Sequence, residues 1–219
     1  MDYATKQRWV ELVEFLGGTR AFALTWHQRL VACYSEKHRS YHTLQHIEEC
    51  LEELDEIEGD EERLALIEIA LWFHDAVYQP LTNDNEERSF AMAKEFMLEC
   101  EATESVIEFV RDMILATKKH HAKDDMDAAI MIGLDLNIFA REPKRYAEYE
   151  KQIREEYAAV PLAEYCSKRA AILEEFLARP VIYESETIRE VYEEQARFNL
   201  ETAVARLKNG IACSLLINF

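Results

Sequence analysis

The chain has 219 residues, 49% hydrophobic and 31% charged, enough to bury the core of one soluble globular domain. Its formal net charge of -18 argues against a nucleic-acid duplex as the main partner, because phosphate backbones call for basic surfaces; a small phosphorylated ligand held through a metal stays compatible with it. Five glycines and four prolines leave little punctuation for short strands, so the expected fold class is all-α, with eight to ten helices.

In chain order, Trp9, Leu12, Val13 and Leu16 recur at helical spacing and stop at Gly17-Gly18. Thr19 is placed to cap a second helix through Phe22, Trp26 and Leu30. A third is expected from about Thr43 to Ile57, with Ile47, Leu51 and Leu54 inward. The stretch from Glu48 to Glu62 holds ten acidic residues and no Lys or Arg, and reads as a solvated helix face with its following turn. From Leu64 to Phe73 only Glu68 interrupts an apolar run, the pattern of a central, buried helix, and this run leads into His74-Asp75. Asn83 or Asp84 starts a helix whose first turn carries Glu86 and Glu87, in keeping with the helix dipole. Val106, Val110 and Met113 mark the next, which runs into His120-His121.

A further apolar stretch, Ile130 to Phe139, contains Asp135. Pro143 and Pro161 suit the first turns of two more helices, and the last long helix is expected from about Ser185 to Lys208, before Gly210. Leu215-Leu216-Ile217 is expected to dock back or fray. One domain is expected over 1–219, with a core of about 20–140 and a C-terminal helical extension of about 141–219. The N-terminus lacks a signal-peptide pattern, no apolar run reaches the roughly 18 residues of a membrane span, and the scattered cysteines at 33, 50, 100, 166 and 213 form no CxxC. Reduced thiols in a cytoplasmic protein are the expectation, with no membrane partner.

Three features bear chemistry. His42 and His46 are four residues apart and share a face if helical. His74-Asp75 follows the most apolar helix, where an acid is costly unless it is paired or exposed. Asp135 sits alone among core residues. Each has an ordinary structural account: half-buried helix histidines, a helix end with a capping His, a carboxylate bonded to Arg or backbone N–H. Taken together they supply imidazole and carboxylate ligands suited to one divalent metal ion (Mn, Fe, Co, Ni, Zn or Mg), with positions left for water and substrate.

The order His, His-Asp, Asp resembles the H…HD…D signature of the HD superfamily of metal-dependent phosphohydrolases. More closely, Tyr41-His42…His46-Ile47, Trp72-Phe73-His74-Asp75-Ala76-Val77-Tyr78, Asn85-Glu86…Ser89, Asp135-Leu136, Ile153-Arg154-x-Glu-Tyr157 and Ala196-Arg197-x-Asn199-Leu200 are similar to a bacterial subgroup of predicted HD phosphohydrolases, over nearly the whole chain. The resemblance implies a compact multi-helix HD-domain bundle with additional C-terminal helices. It implies His46, His74, Asp75 and Asp135 as metal ligands. His42 would be the proton donor, as in the YHxxxH segment of cyclic-nucleotide phosphodiesterases. An alignment through the lead Arg39-Ser-Tyr-His42 makes His42 the ligand instead.

One departure is that Val77 and Tyr78 stand where many HD phosphohydrolases carry an acid, a role that Glu86 or Glu87 would have to fill. Lys118 and His120 are candidate substrate-phosphate contacts. His120-His121 otherwise reads as donors to a second metal or as a solvated helix end. Arg154, Arg169 and Arg197 read as helix-packing ion-pair residues. The expected reaction is hydrolysis of a small phosphorylated metabolite, a nucleotide by family analogy, with His42 and Asp75 catalytic. The alternatives are an HD-fold di-iron oxygenase and a non-catalytic metal- or nucleotide-binding sensor.

Overall fold

The computed structural model describes residues 3–212, so the expectation for Leu215-Leu216-Ile217 lies outside the described residues. Among those described, the chain is all-helical: ten α-helices, one 3-10 helix and no strand. None of the helices is long and apolar enough to cross a membrane. Two compact units form, one through His121 and one from Ala122 onward.

The first unit holds α1 (Tyr3–Phe15), α2 (Arg20–Tyr34), α3 (Leu44–Leu54), α4 (Glu61–Phe73), α5 (Asn85–Glu99) and α6 (Glu104–Thr117). Thr19 caps α2 by accepting from the Phe22 N–H, and Asp60 caps α4 by accepting from that of Arg63. The centre is α4, in which every side chain from Ala65 to Phe73 is buried. Its Trp72 packs edge-on against Trp9 at 5.2 Å, and Phe96 closes on Trp9 at 5.3 Å and Trp26 at 5.4 Å. Glu68, the one acid in this helix core, is matched by Arg8 of α1, whose Nε and Nη2 each donate to a carboxylate oxygen at 2.9 Å.

Two boundaries differ from the periodicity. Helix α3 stops at Leu54, short of Ile57, because the acidic run breaks into a turn at Asp55 and Glu56. Helix α6 stops at Thr117, whose hydroxyl bonds back to the Ile114 carbonyl, and His120 takes a left-handed φ of 47°. His120-His121 therefore follows the helix and is not its last turn.

The second unit holds α7 (Met126–Asp135), the 3-10 helix Leu136–Ala140, α8 (Pro143–Glu156), α9 (Leu162–Leu177) and α10 (Glu186–Lys208). Pro143 opens α8 as expected, whereas Pro161 is the residue just before α9. Helix α10 fastens the turn after Asp135: the Asn199 amide donates to the Phe139 and Arg141 carbonyls at 2.8 Å each. The Tyr183 hydroxyl donates to the Leu136 carbonyl at 3.0 Å. The three arginines serve this scaffold. Arg169 pairs with Glu150 at 2.6 Å, Arg154 donates to the Tyr157 and Val160 carbonyls, and Arg197 joins Glu193 to the carbonyls of Leu177, Arg179 and Pro180.

Close packing in this unit depends on Gly133 of α7. A Cβ there would lie 2.6 Å from Cδ1 and 3.2 Å from Cγ2 of the buried Ile188. Gly133→Ala gains helix propensity of about 1 kcal/mol but overpacks by about 1–3 kcal/mol. The expected net result is a loss of about 1 kcal/mol, read as a lower urea midpoint at constant slope.

Candidate metal centre

The site is built where α4 ends. The His74 N–H still bonds to the Ala70 carbonyl at 2.8 Å and its backbone stays helical, so the ring turns back over the last turn. His74 Nδ1 lies 2.9 Å from the Leu71 carbonyl. A carbonyl only accepts, so Nδ1 carries the hydrogen and Nε2 of the neutral ring presents a lone pair. His46, in the first turn of α3, is held through Nδ1 by the Tyr41 hydroxyl at 3.0 Å and touches Cys50 Sγ at 3.7 Å. Its Nε2 is likewise turned away from this support.

The two Nε2 atoms converge with the Asp75 carboxylate. His46 Nε2 and His74 Nε2 are 3.2 Å apart, His74 Nε2 and Asp75 Oδ2 3.1 Å, and His46 Nε2 and Asp75 Oδ2 3.7 Å. The two histidines are 1% and 2% exposed at their side chains and Asp75 is 17% exposed. Donor atoms about 2.0–2.2 Å from one ion, at tetrahedral to octahedral angles, stand about 2.8–3.6 Å from one another. The two spacings to His74 Nε2 fall within that range, and the His46–Asp75 spacing lies just beyond it. Two buried imidazole lone pairs facing each other at 3.2 Å repel unless a cation or a proton lies between them. The residues present therefore suit a borderline divalent ion with two nitrogen ligands and one oxygen ligand.

Burial by itself would raise the Asp75 carboxyl, but where the neighbouring rings are protonated and no metal is held, charge on His74, His42 and His46, with the His74 hydrogen bond, outweighs it and holds the group well below the ordinary carboxylate range. For folding, the sign is that of a depressed acid. Its contribution is present above the unfolded value of about 3.9 and is lost as pH falls through the folded one. Nitrogen ligands bind a metal only when deprotonated, so chelator-competition titrations at stepped pH should show metal affinity falling as pH is lowered. Affinity independent of pH would count against histidine ligands.

Arg39 frames the site. Its side chain is fully buried and spreads its donors over three carbonyls: His42 at 3.0 Å and Asp75 at 2.7 Å from Nη1, and Ala76 at 3.1 Å from Nη2. Glu36 accepts from its Nε at 3.0 Å. The guanidinium thus ties the segment before α3 to the turn after α4. Two residues of α5 hold the rest of that turn. Ser89 accepts from the Val77 N–H and donates to its carbonyl, and the Asn85 side chain bonds both backbone groups of Gln79. Sequence reasoning took Arg39 only as a possible alignment lead and missed Tyr41 as the partner of His46. A cation and a hydroxyl flanking a candidate ligand were the available signal.

The other expected site residues are placed as follows. His42 is half-buried, stacks on Tyr78 at 4.0 Å and has its ring 6.2 Å from that of His46. Lys118 bonds the Asn83 carbonyl and Glu87 (2.5 Å) and approaches Glu86 at 3.8 Å. His120 lies half-buried beyond the end of α6. Asp135 ends α7 in the second unit, where its charge is one of the influences on Tyr149; burial first, then Glu150 and Asp135, push that phenol up to about 12 against the pull of Arg169. Compared with protein-family models, curated proteins and solved structures, the chain matches none. The site must therefore be read from its own geometry.

Proposed function

We propose that the chain is a metal-dependent phosphohydrolase of HD type that acts in the cytoplasm on a small phosphorylated metabolite, a nucleotide being the class the resemblance favours. The observation that carries the reading is the convergence of His46 Nε2, His74 Nε2 and Asp75 Oδ2 at metal-ligand spacing, each histidine oriented from behind by a hydrogen bond. A divalent ion held there supplies a Lewis acid for a phosphate oxygen and eases deprotonation of water.

The chain's own groups divide the remaining work. In this proposal Asp75 serves as the acceptor for the proton of the attacking water. His42 donates a proton to the leaving oxygen, held by its stack on Tyr78 and near enough to Asp75 for its charge to be felt there. For Lys118 to meet a substrate phosphate, it exchanges Glu87 for the ligand. Glu86 and His120 complete the proposed substrate contacts. The cytoplasmic assignment draws support from Cys33, Cys50, Cys100 and Cys166, which are thiols and not disulfides.

The test is a screen of chelator-stripped protein with bis(p-nitrophenyl) phosphate, p-nitrophenyl phosphate and nucleotides, with Mn, Co, Ni, Zn or Mg returned singly. Metal-restored release of p-nitrophenol or phosphate supports the reading. Hydrolysis by the stripped protein overturns it. Two irons per chain with oxygen consumption would point to the oxygenase alternative instead.

A further inference from the structure

The first unit has a second recessed surface built from residues outside the metal centre. The last turn of α1, the end of α3 and the start of α4 border an open groove of about 540 Å³ with Leu12, Leu54, Ile57 and Leu64 in its walls. A cavity of about 380 Å³ is walled by Leu66, Ile69, Phe96, Met97 and Val106. Phe15 lines both and is 59% exposed, a large apolar side chain standing in solvent at the end of a helix. Phe15 thus offers an occupant one exposed apolar foothold where the two recesses meet, while Leu12, Leu54, Leu66, Ile69, Phe96 and Met97 in their walls are themselves buried.

The charges say which. Around the two cavities stand Glu11, Asp55, Glu61, Glu62, Glu68 and Glu101, against a single base, Arg8. Arg8 is already taken up by Glu68 at 2.9 Å and Asp55 at 2.8 Å. An anionic occupant, whether a fatty acid, a nucleotide or an acidic membrane surface, would meet uncompensated carboxylates. A second copy of the chain is disfavoured for the same reason, since a two-fold contact would set one acidic rim against the other at a net charge of -18 each. What complements an apolar floor with an acidic rim is an apolar stripe flanked by lysines and arginines. We propose that this groove is the docking site for a basic amphipathic helix of a partner protein, with Phe15 packing against its apolar stripe and Glu11, Glu61 and Glu62 pairing with its basic flanks. The acidic run from Glu48 to Glu62 then includes part of a recognition surface as well as a solvated face.

The test uses the full chain and a fluorescein-labelled Leu/Lys peptide of about 18 residues, long enough for five helical turns with one apolar stripe. Two control peptides are a scramble of the same composition without the stripe, and the same stripe with Glu in place of Lys. Anisotropy at physiological salt should show binding of the striped basic peptide at least about tenfold tighter than either control. Phe15→Asp, and separately the pair Glu11→Lys with Glu61→Lys, should each weaken it by about tenfold or more, all three positions being exposed. The pair Glu190→Lys with Glu194→Lys, exposed on α10, should leave it unchanged. Equal binding of the scramble, or an unaltered Kd in Phe15→Asp, would reduce the effect to diffuse charge attraction and overturn the proposal. So would preference for the acidic peptide, or sedimentation showing that the chain self-associates through Phe15. None of these readouts depends on metal or on hydrolysis.

Discussion

Asp75→Ala is expected to abolish divalent-metal binding at the His46–His74–Asp75 centre and, with it, metal-dependent phosphoester hydrolysis. The carboxylate is the one anion in the three-residue group, and without it two neutral imidazoles face each other at 3.2 Å. Loss of a supporting group behind a ligand costs about 10–100-fold in affinity, so loss of the charged ligand itself should exceed about 100-fold. The fold should survive, because the contact that Arg39 makes at this position is to the backbone carbonyl, which alanine keeps. Elemental analysis and chelator competition read the metal, and circular dichroism reads the fold. Asp75→Asn, which retains a neutral oxygen donor, should fall between the two. Full metal occupancy in Asp75→Ala would remove Asp75 from the ligand set. Hydrolysis that persists in metal-free Asp75→Ala would separate the chemistry from the metal.

Arg39→Ala should be among the most destabilising single changes in the first unit. The side chain is fully buried, and its removal leaves the carbonyls of His42, Asp75 and Ala76 without this donor and Glu36 without its cation. A buried polar group stripped of its partner costs about 1–3 kcal/mol, while the pair with Glu36, which is 41% exposed, adds about 1 kcal/mol or less. Relaxation and water entry offset part of the sum, so the expected loss is about 3–5 kcal/mol, read from urea denaturation. Arg39→Lys keeps the charge but not the planar fork, and should recover less than half. Metal affinity should fall in both variants even where the protein remains folded, because the two segments that carry His42 and Asp75 are no longer tied. A loss below about 1 kcal/mol in Arg39→Ala would show that the guanidinium is not a structural clamp.

The helices were legible because their burial follows a simple period. The apolar run ending at Phe73 read as a central helix, and α4 is buried from Ala65 onward. The meeting of His46 with His74 and Asp75 was legible as a choice of ligand types, not as a contact; 28 positions separate the two histidines, and only the packing of α3 on α4 closes that gap. Arg39 was illegible for a related reason. It works through backbone carbonyls as far as 37 positions away, and any residue type supplies a carbonyl. The placement of His120 beyond the helix escaped notice because a left-handed non-glycine residue has no compositional mark. Lys118 read as a candidate phosphate contact, and its pairing with Glu87 went unseen because that residue lies on a different helix, 31 positions away.

The Arg8–Glu68 pair has a consequence for the first of these helices. A helix apolar on all sides has no chemical marker of its position along its own axis; dispersion contacts between generic side chains are nearly as good one turn up or down. Glu68 breaks that degeneracy. Sliding α4 by one turn would pull both carboxylate oxygens off Arg8 and strand a charge in the core. The pair therefore acts as a detent, fixing how far α4 extends before it ends. Six residues further along, that stopping point sets the depth at which His74 and Asp75 emerge.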